Sequence, residues 1–257
     1  MRYIFIIIFS VFSAQLKAQD NNLSKLKLDF ELAIVNSDEA LIKTLAKQLK
    51  PNYSKYKLIY YKELLNSLPS KSVLITNGKD DTFPIIITQV INGINPTVDV
   101  ISLNLLNKYP KYVEDTFSKY NVSSSFDKTS SVIYLTRILQ QSKAKTFIAS
   151  TVNPSVYTKH SKHLFLVGLS LEYKSMHQYK KLQEFYKASD FLIDLVPYLT
   201  TEKMLFSNYL APLLTYYKLN QEGNGEKDKR LKPIIEALAN YFGKTILVTK
   251  IIKSYTK

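Results

Sequence analysis

Residues 72–107 read SVLITNGKDDTFPIIITQVINGINPTVDVISLNLLN. The apolar, β-branched run Val73-Leu74-Ile75 predicts a strand, and Asn77 to Asp81 a polar turn leaving it. Thr82-Phe83-Pro84 suits entry into a helix, which the apolar residues from Ile85 to Val90 carry on. Val98-Asp99-Val100-Ile101 then predicts a second strand. A strand, a helix and another strand in this order make a parallel βαβ unit. The reading places Asp80 and Asp81 in the loop after the carboxyl end of a strand, where open α/β sheets carry their sites.

The same alternation continues outward. Thr146-Phe147-Ile148-Ala149 predicts a third strand, and helical spacing marks Tyr109 to Tyr120 and Ser130 to Gln141. The apolar stretch from His163 to Tyr173, with Gly168 inside it, reads as helix then strand. The fold class expected is α/β: a small parallel, Rossmann-like three-layer sheet flanked by amino- and carboxyl-terminal helices.

On the amino-terminal side, Leu26, Phe30, Ala33 and Ile34 recur at helical spacing, then Leu41, Leu45 and Leu49. Asn36 to Glu39 supplies a cap and an acidic first turn between them. Pro51 stops the second helix, and a third runs through Tyr56, Ile59, Tyr60, Glu63 and Leu64 to Leu68-Pro69. On the carboxyl-terminal side Tyr179 to Tyr186, Phe191 to Leu199, Met204 to Leu219 and Pro233 to Tyr241 read as helices. Asn220 to Asp228 reads as a flexible loop, and the β-branched run Thr245 to Ile252 as either a strand or a closing helix. The organisation expected is a signal peptide over 1–18, a helical segment over 19–68, an α/β core over 69–175 and a helical segment over 176–257. No fixed period establishes a repeat among the helices.

The signal peptide rests on Arg2, the apolar run Tyr3 to Phe12 and a cleavage site at Leu16-Lys17-Ala18. That run is too short for a spanning helix of about twenty residues, and no later stretch is long enough. The expected address is therefore periplasmic or extracellular. No cysteine follows the run, so attachment as a lipoprotein is not expected, and a chain without cysteine draws its stability from core packing rather than disulfides. The formal charge of +14 is almost all lysine; beyond Arg2 the only arginines are Arg137 and Arg230. Scattered lysine is a poor reader of bases, so nucleic acid is not an expected partner, whereas an anionic polymer or lipid headgroup fits the charge.

Adjacent carboxylates such as Asp80 and Asp81 can hold a divalent cation, act as acid and base, or accept hydrogen bonds from a sugar. Asp and Thr at such positions also cap the following helix, a purely structural use. Lys79 beside the pair argues against a metal. Were the strand ends to form a site, Asn77, Thr82, Ser102, Asn104, Thr151 and Asn153 would join the two carboxylates, and these polar groups suit hydroxyl-rich ligands. His160 and His163 lack the carboxylate or thiolate partners of a zinc set, and read as an exposed helix start. No Gly-x-Ser-x-Gly elbow and no glycine-rich phosphate loop occur among six glycines, so no cofactor is expected.

Thr76 to Pro84, Gln89, Gly93, Asp99-Val100, Leu103 and Leu105-Leu106-Asn107, taken in order, resemble one bacterial family. It is the soluble carboxyl-terminal region of multi-span, protein O-mannosyltransferase-like membrane proteins of Bacteroidota, whose stretch reads approximately NGDNDTFPLWYxQ. Lys145 to Ala149 and Gly168 to Tyr173 are similar to that family's later elements, so the resemblance spans about residues 65–175. Lys79 stands where the family has its first Asp, Asp80 where it has Asn, and Ile86-Ile87 where it has an aromatic pair. The polytopic portion that would transfer a sugar has no counterpart here. What the resemblance implies is an extracytoplasmic α/β module without glycosyl transfer.

Three functions follow as expectations. The first is a non-catalytic binding or accessory module of the envelope for a glycan or protein partner. The second is a hydrolase or transferase acting on a carbohydrate or phosphate ester through Asp80 and Asp81. The third is a helical-repeat-like scaffold for protein contacts.

Overall fold

The computed structural model describes residues 21–123, 130–174, 178–188, 202–222 and 229–255. The expected signal peptide, the helix from Phe191 to Leu199 and most of the loop ending at Asp228 lie outside them. The chain divides into two compact units, residues 1–53 and 54–257.

In the first unit, α1 covers 21–35 and α2 covers Glu39–Leu49. Asp38 caps α2 by accepting the Leu41 N–H at 3.0 Å, and Ser37 takes the left-handed conformation the turn needs, with φ 53°. Phe30, Ala33, Ile34, Leu45 and Leu49 are buried at the expected helical spacing, whereas Leu26 is half-buried and Leu41 exposed. Pro51 lies in a 3-10 turn directly after α2.

In the second unit, α3 (Lys55–Asn66) starts at the Ser54 cap. The strands follow as β1 (Val73–Thr76), β2 (Asp99–Ser102), β3 (Thr146–Ala149), β4 (Leu164–Leu166) and β5 (Ser170–Tyr173). They form one mixed sheet in the order β2-β1-β3-β5-β4. β1 pairs parallel with β2 (Val73 beside Asp99) and with β3 (Val73 beside Thr146). Every residue of β1 and β3 is buried, as central strands covered on both faces require. Between β1 and β2 runs α4 (Lys79–Asn92); between β2 and β3 run α5 (Leu103–Lys108), α6 (Pro110–Lys119) and α7 (Ser131–Gln141). The first crossover leaves β1 in one direction and the second returns past it, so the order reverses between β1 and β3.

The parallel three-stranded part stands as expected, and other elements are corrected. Residues 163–173 form not helix then strand but a hairpin, in which β5 pairs antiparallel with both β4 and β3. Strands of three and four residues are too short for periodicity to identify. The decisive residue is Gly168 in the turn: its φ is +126°, and a Cβ there would lie 3.0 Å from the Phe185 ring. The second correction concerns Asp80 and Asp81. The turn after β1 is only Asn77-Gly78, and α4 begins at Lys79, so both carboxylates belong to the first turn of a fourteen-residue helix rather than to a loop.

Toward the carboxyl end come α8 (Pro154–Tyr157), α9 (Gln178–Ala188), α10 (Lys203–Phe206), α11 (Leu210–Glu222), α12 (Leu231–Tyr241) and α13 (Thr245–Tyr255). The run 245–252 is thus helical: Val248 and Ile252, one turn apart, are its buried residues. Expected as one helix, 204–219 is split by a 3-10 turn over Ser207–Tyr209, because Pro212 has no N–H to donate back to Asn208. An aromatic cluster joins these helices to α3. The Tyr60 ring meets Tyr61, Phe206 and Tyr209 edge-on at 5.1, 5.7 and 5.9 Å, and Phe185 stacks on Tyr209 at 5.5 Å.

Candidate functional site

Where the strand order reverses, at the carboxyl ends of β1 and β3, lies a cleft of about 700 Å³. An open α/β sheet places its ligand crevice at this point. One wall is the strand-end wall, Asn77 to Asp81 after β1 and Ser150 to Pro154 after β3. The other comes from Lys57 and Tyr61 of α3 and from the segment Glu202 to Asn208. The lining mixes amide, hydroxyl and backbone groups with the apolar Val152, Pro154, Met204 and Leu205, and it carries two cations, Lys57 and Lys79, against three carboxylates, Asp80, Asp81 and Glu202.

Asp81 lies in the floor and is only 3 % exposed. Its Oδ1 accepts the backbone N–H of Gly78 at 2.8 Å and of Thr82 at 2.9 Å. Its Oδ2 accepts the Asn77 N–H at 2.8 Å and the Thr151 hydroxyl at 2.8 Å. A carboxylate has about four acceptor sites, and all four are filled. The side chain therefore closes the first turn of α4 and ties the end of β1 to the end of β3. It also occupies the position at a helix amino terminus where a phosphate would otherwise sit.

Pro84 explains a second contact. Lacking an N–H, it leaves the Asp80 carbonyl without its helical partner, and the Tyr61 hydroxyl donates to that oxygen at 3.2 Å. Burial, with the Asp81 carboxylate as the next contribution, pushes the Tyr61 phenol well above its ordinary pKa, so it remains a neutral donor. Beneath it, Tyr60 shares a hydrogen bond with Ser150 at 3.1 Å and accepts one from Asn208 at 3.2 Å; burial pushes its phenol up to about 12. At the rim, Glu202 accepts the Ser54 hydroxyl at 2.7 Å, and Met204 is 80 % exposed.

Of the residues nominated by sequence, the fold brings Asn77, Asp80, Asp81, Thr151 and Asn153 to the cleft. Thr82 faces inward, its hydroxyl 2.7 Å from that of Thr76. Ser102 is buried and caps α5, accepting the Leu105 N–H. Asn104 is exposed and donates its backbone N–H to the Asn77 carbonyl at 3.0 Å. Neither Ser102 nor Asn104 lines the cleft. Sequence reasoning missed Lys57, Tyr61, Ser150, Glu202 and Asn208. Of these only Tyr61 carried a signal, as the residue poised to satisfy the carbonyl that Pro84 frees.

The histidine pair serves another role. His160 Nε2 lies 2.9 Å from the Thr136 hydroxyl, and His160 and His163 each meet Tyr173 at 6.3 Å. His160 is buried, not part of an exposed helix start, because the hairpin brings Tyr173 against it. Burial, then the neighbouring His163 and Lys159, lowers its pKa. Among the described residues no three of His, Cys, Asp and Glu stand close enough to share an ion, and no helix is long and apolar enough to cross a membrane.

A family model described as TMEM260-associated domain 2 matches residues 59–192, just over half of the chain. No match was found among curated proteins or among solved structures. The matched span holds Tyr61 and the whole strand-end wall of the cleft; Lys57 and residues 202–208 fall outside it.

Proposed function

Because the chain belongs to the family described as TMEM260-associated domain 2, we propose that it is a non-catalytic accessory module whose cleft takes a neutral, hydroxyl-rich ligand of the glycan class. The observation that carries this reading is the state of Asp81. Its four acceptor sites are spent on Asn77, Gly78, Thr82 and Thr151, so the residue best placed for acid, base or metal chemistry has a structural use instead. Around it the lining offers the amides of Asn77, Asn153 and Asn208, the hydroxyls of Tyr61, Ser150 and Thr151, and the apolar faces of Val152, Pro154 and Leu205, which matches a sugar's hydroxyls and its apolar ring face. The filled helix amino terminus weighs against nucleotides and phosphate esters.

The finer assignment rests on the likeness of residues 65–175 to the soluble region of O-mannosyltransferase-like membrane proteins of Bacteroidota, and on the exported character of the first eighteen residues. On that footing the module works outside the cytoplasm and meets glycan or glycosylated protein in the envelope. The division into a helical segment to residue 68, an α/β core to 175 and a helical segment beyond belongs to the same proposal.

Thermal unfolding in the presence of neutral oligosaccharides, inorganic phosphate and nucleotides tests the proposal. A ligand at a hundred times its dissociation constant adds about 2.7 kcal/mol. Stabilisation by oligosaccharide that is lost in Asn77→Ala/Asp80→Asn, both exposed positions, is the expected result. Stabilisation by nucleotide or phosphate, or turnover of a phosphate ester abolished by Asp81→Asn in a folded chain, would replace the binding module with the enzyme.

A further inference from the structure

We propose that α13 is a docking surface for an anionic lipid bilayer. Its inner face is settled by the buried Val248 and Ile252, with α11 and α12 packed against it. Its outer face is not apolar by accident of size: Ile246 is 90 % exposed and Leu247 56 % exposed, next to one another at the start of the helix. Lys250 follows Ile246 by one helical turn and Lys253 by two, so apolar tips and ammonium groups share one exposed stripe. Lys244 precedes the helix and is also exposed. From Ala237 to Lys257 the chain carries no Asp or Glu at all.

This combination selects among partners. A protein interface of the usual kind depletes lysine and gathers larger apolar anchors at its centre, whereas two apolar side chains ringed by lysine fit an interfacial helix. Such a helix lets Ile and Leu enter the boundary between headgroups and acyl chains while the lysine stems reach back to the headgroup level. An acid-free stretch meets no repulsion from anionic lipid, and each lysine held near such a surface adds attraction. The surface lies on a different element from the strand-end cleft and does not depend on what the cleft binds.

Co-sedimentation of the full chain with vesicles is the test, using phosphatidylcholine alone and phosphatidylcholine mixed with phosphatidylglycerol. Any binding through residues 1–20 is common to all variants and cancels in the comparison. The expected result is stronger binding to the mixed vesicles. Ile246→Ser/Leu247→Ser should weaken it, and Lys244→Gln/Lys250→Gln should weaken it about thirtyfold. All four positions are exposed, and circular dichroism of each variant should match that of the parent. Equal binding to both vesicle types, or mixed-vesicle binding unchanged in either double variant, would overturn the proposal. So would retention on an acidic polysaccharide, lost in the lysine variant, without any preference for phosphatidylglycerol.

Discussion

Asp81 and Glu172 are both 3 % exposed carboxylates in the second unit, and they are held in opposite ways. At the cleft end of the sheet, Asp81 is surrounded by neutral donors, three backbone N–H groups and the Thr151 hydroxyl, with neutral Tyr60 and Tyr61 behind them. At the hairpin end, Glu172 on β5 is paired with the ammonium groups of Lys145, at 3.1 Å, and Lys181. The first arrangement is built mostly from residues adjacent in sequence, and none of its partners can be screened by salt. The second joins β5, the residue before β3 and α9 through long side chains that reach solvent. One end is held by hydrogen bonds that burial strengthens, the other by charges that solvent weakens.

The largest expected effect comes at alkaline pH and weighs on the cleft end, with Tyr112 and Tyr120 beside β2 also raised by burial. Burial raises the phenols of Tyr60, Tyr61 and Tyr209 above the ordinary value near 10, so the folded chain favours their neutral form. Their contribution is complete below the unfolded pKa and is lost as pH rises above it, at about 1.4 kcal/mol per tyrosine per pH unit beyond pH 10. Denaturant titrations between pH 8 and about 11 should therefore show a steep alkaline limb that Tyr61→Phe makes shallower by one such increment. An unchanged limb would mean that Tyr61 does not hold its proton in the folded chain.

Next comes Asp81→Ala, which strips partners from the Asn77 and Gly78 N–H groups and from Thr151 at once, while the Thr82 N–H keeps the Gly78 carbonyl at 2.8 Å. A loss of about 3 kcal/mol is expected, insensitive to salt, read as a drop of roughly 10 °C in the unfolding midpoint. Gly168→Ala should follow at about 2 kcal/mol, because the new Cβ must accept a positive φ and meet the Phe185 ring. Differential scanning calorimetry ranks the two.

These positions also show what the sequence made legible. The Asp38 cap lies three residues from the Leu41 N–H it satisfies, and the β-branched runs of β1 and β3 show in composition alone, so local chemistry announces both. Asp81 was open to two readings because the N-cap residue is Gly78, whose missing side chain conceals a capping box, leaving a pair of acids that resembles a site. The hairpin was illegible for want of length. The wall from 202 to 208 was illegible because its approach to Tyr60 and Ser54 is a product of tertiary packing, with no trace in local spacing.

Glu172→Gln sharpens the contrast at the hairpin end. The lysines it releases are 50 % and 27 % exposed and can return to water, so the loss should be about 1–2 kcal/mol rather than that of a fully buried pair. Raising the salt concentration should narrow the gap between this variant and its parent while leaving the gap for Asp81→Ala as it was. If both gaps narrowed alike, the neutral cradle around Asp81 would be misassigned.

Asp80→Asn should change stability least, by under about 0.5 kcal/mol, since only its backbone carbonyl is engaged, by Tyr61, and its side chain is exposed. That small effect is what makes it informative. Asp80 and Asp81 are neighbours in one helical turn, yet one carboxylate is consumed by the fold and the other is presented to the cleft. Isothermal titration with a stabilising oligosaccharide should then find affinity reduced in Asp80→Asn at unchanged unfolding midpoint. Unchanged affinity would move the ligand-reading role to the amides of Asn77 and Asn153 and leave Asp80 as an acidic first-turn residue favouring the amino terminus of α4.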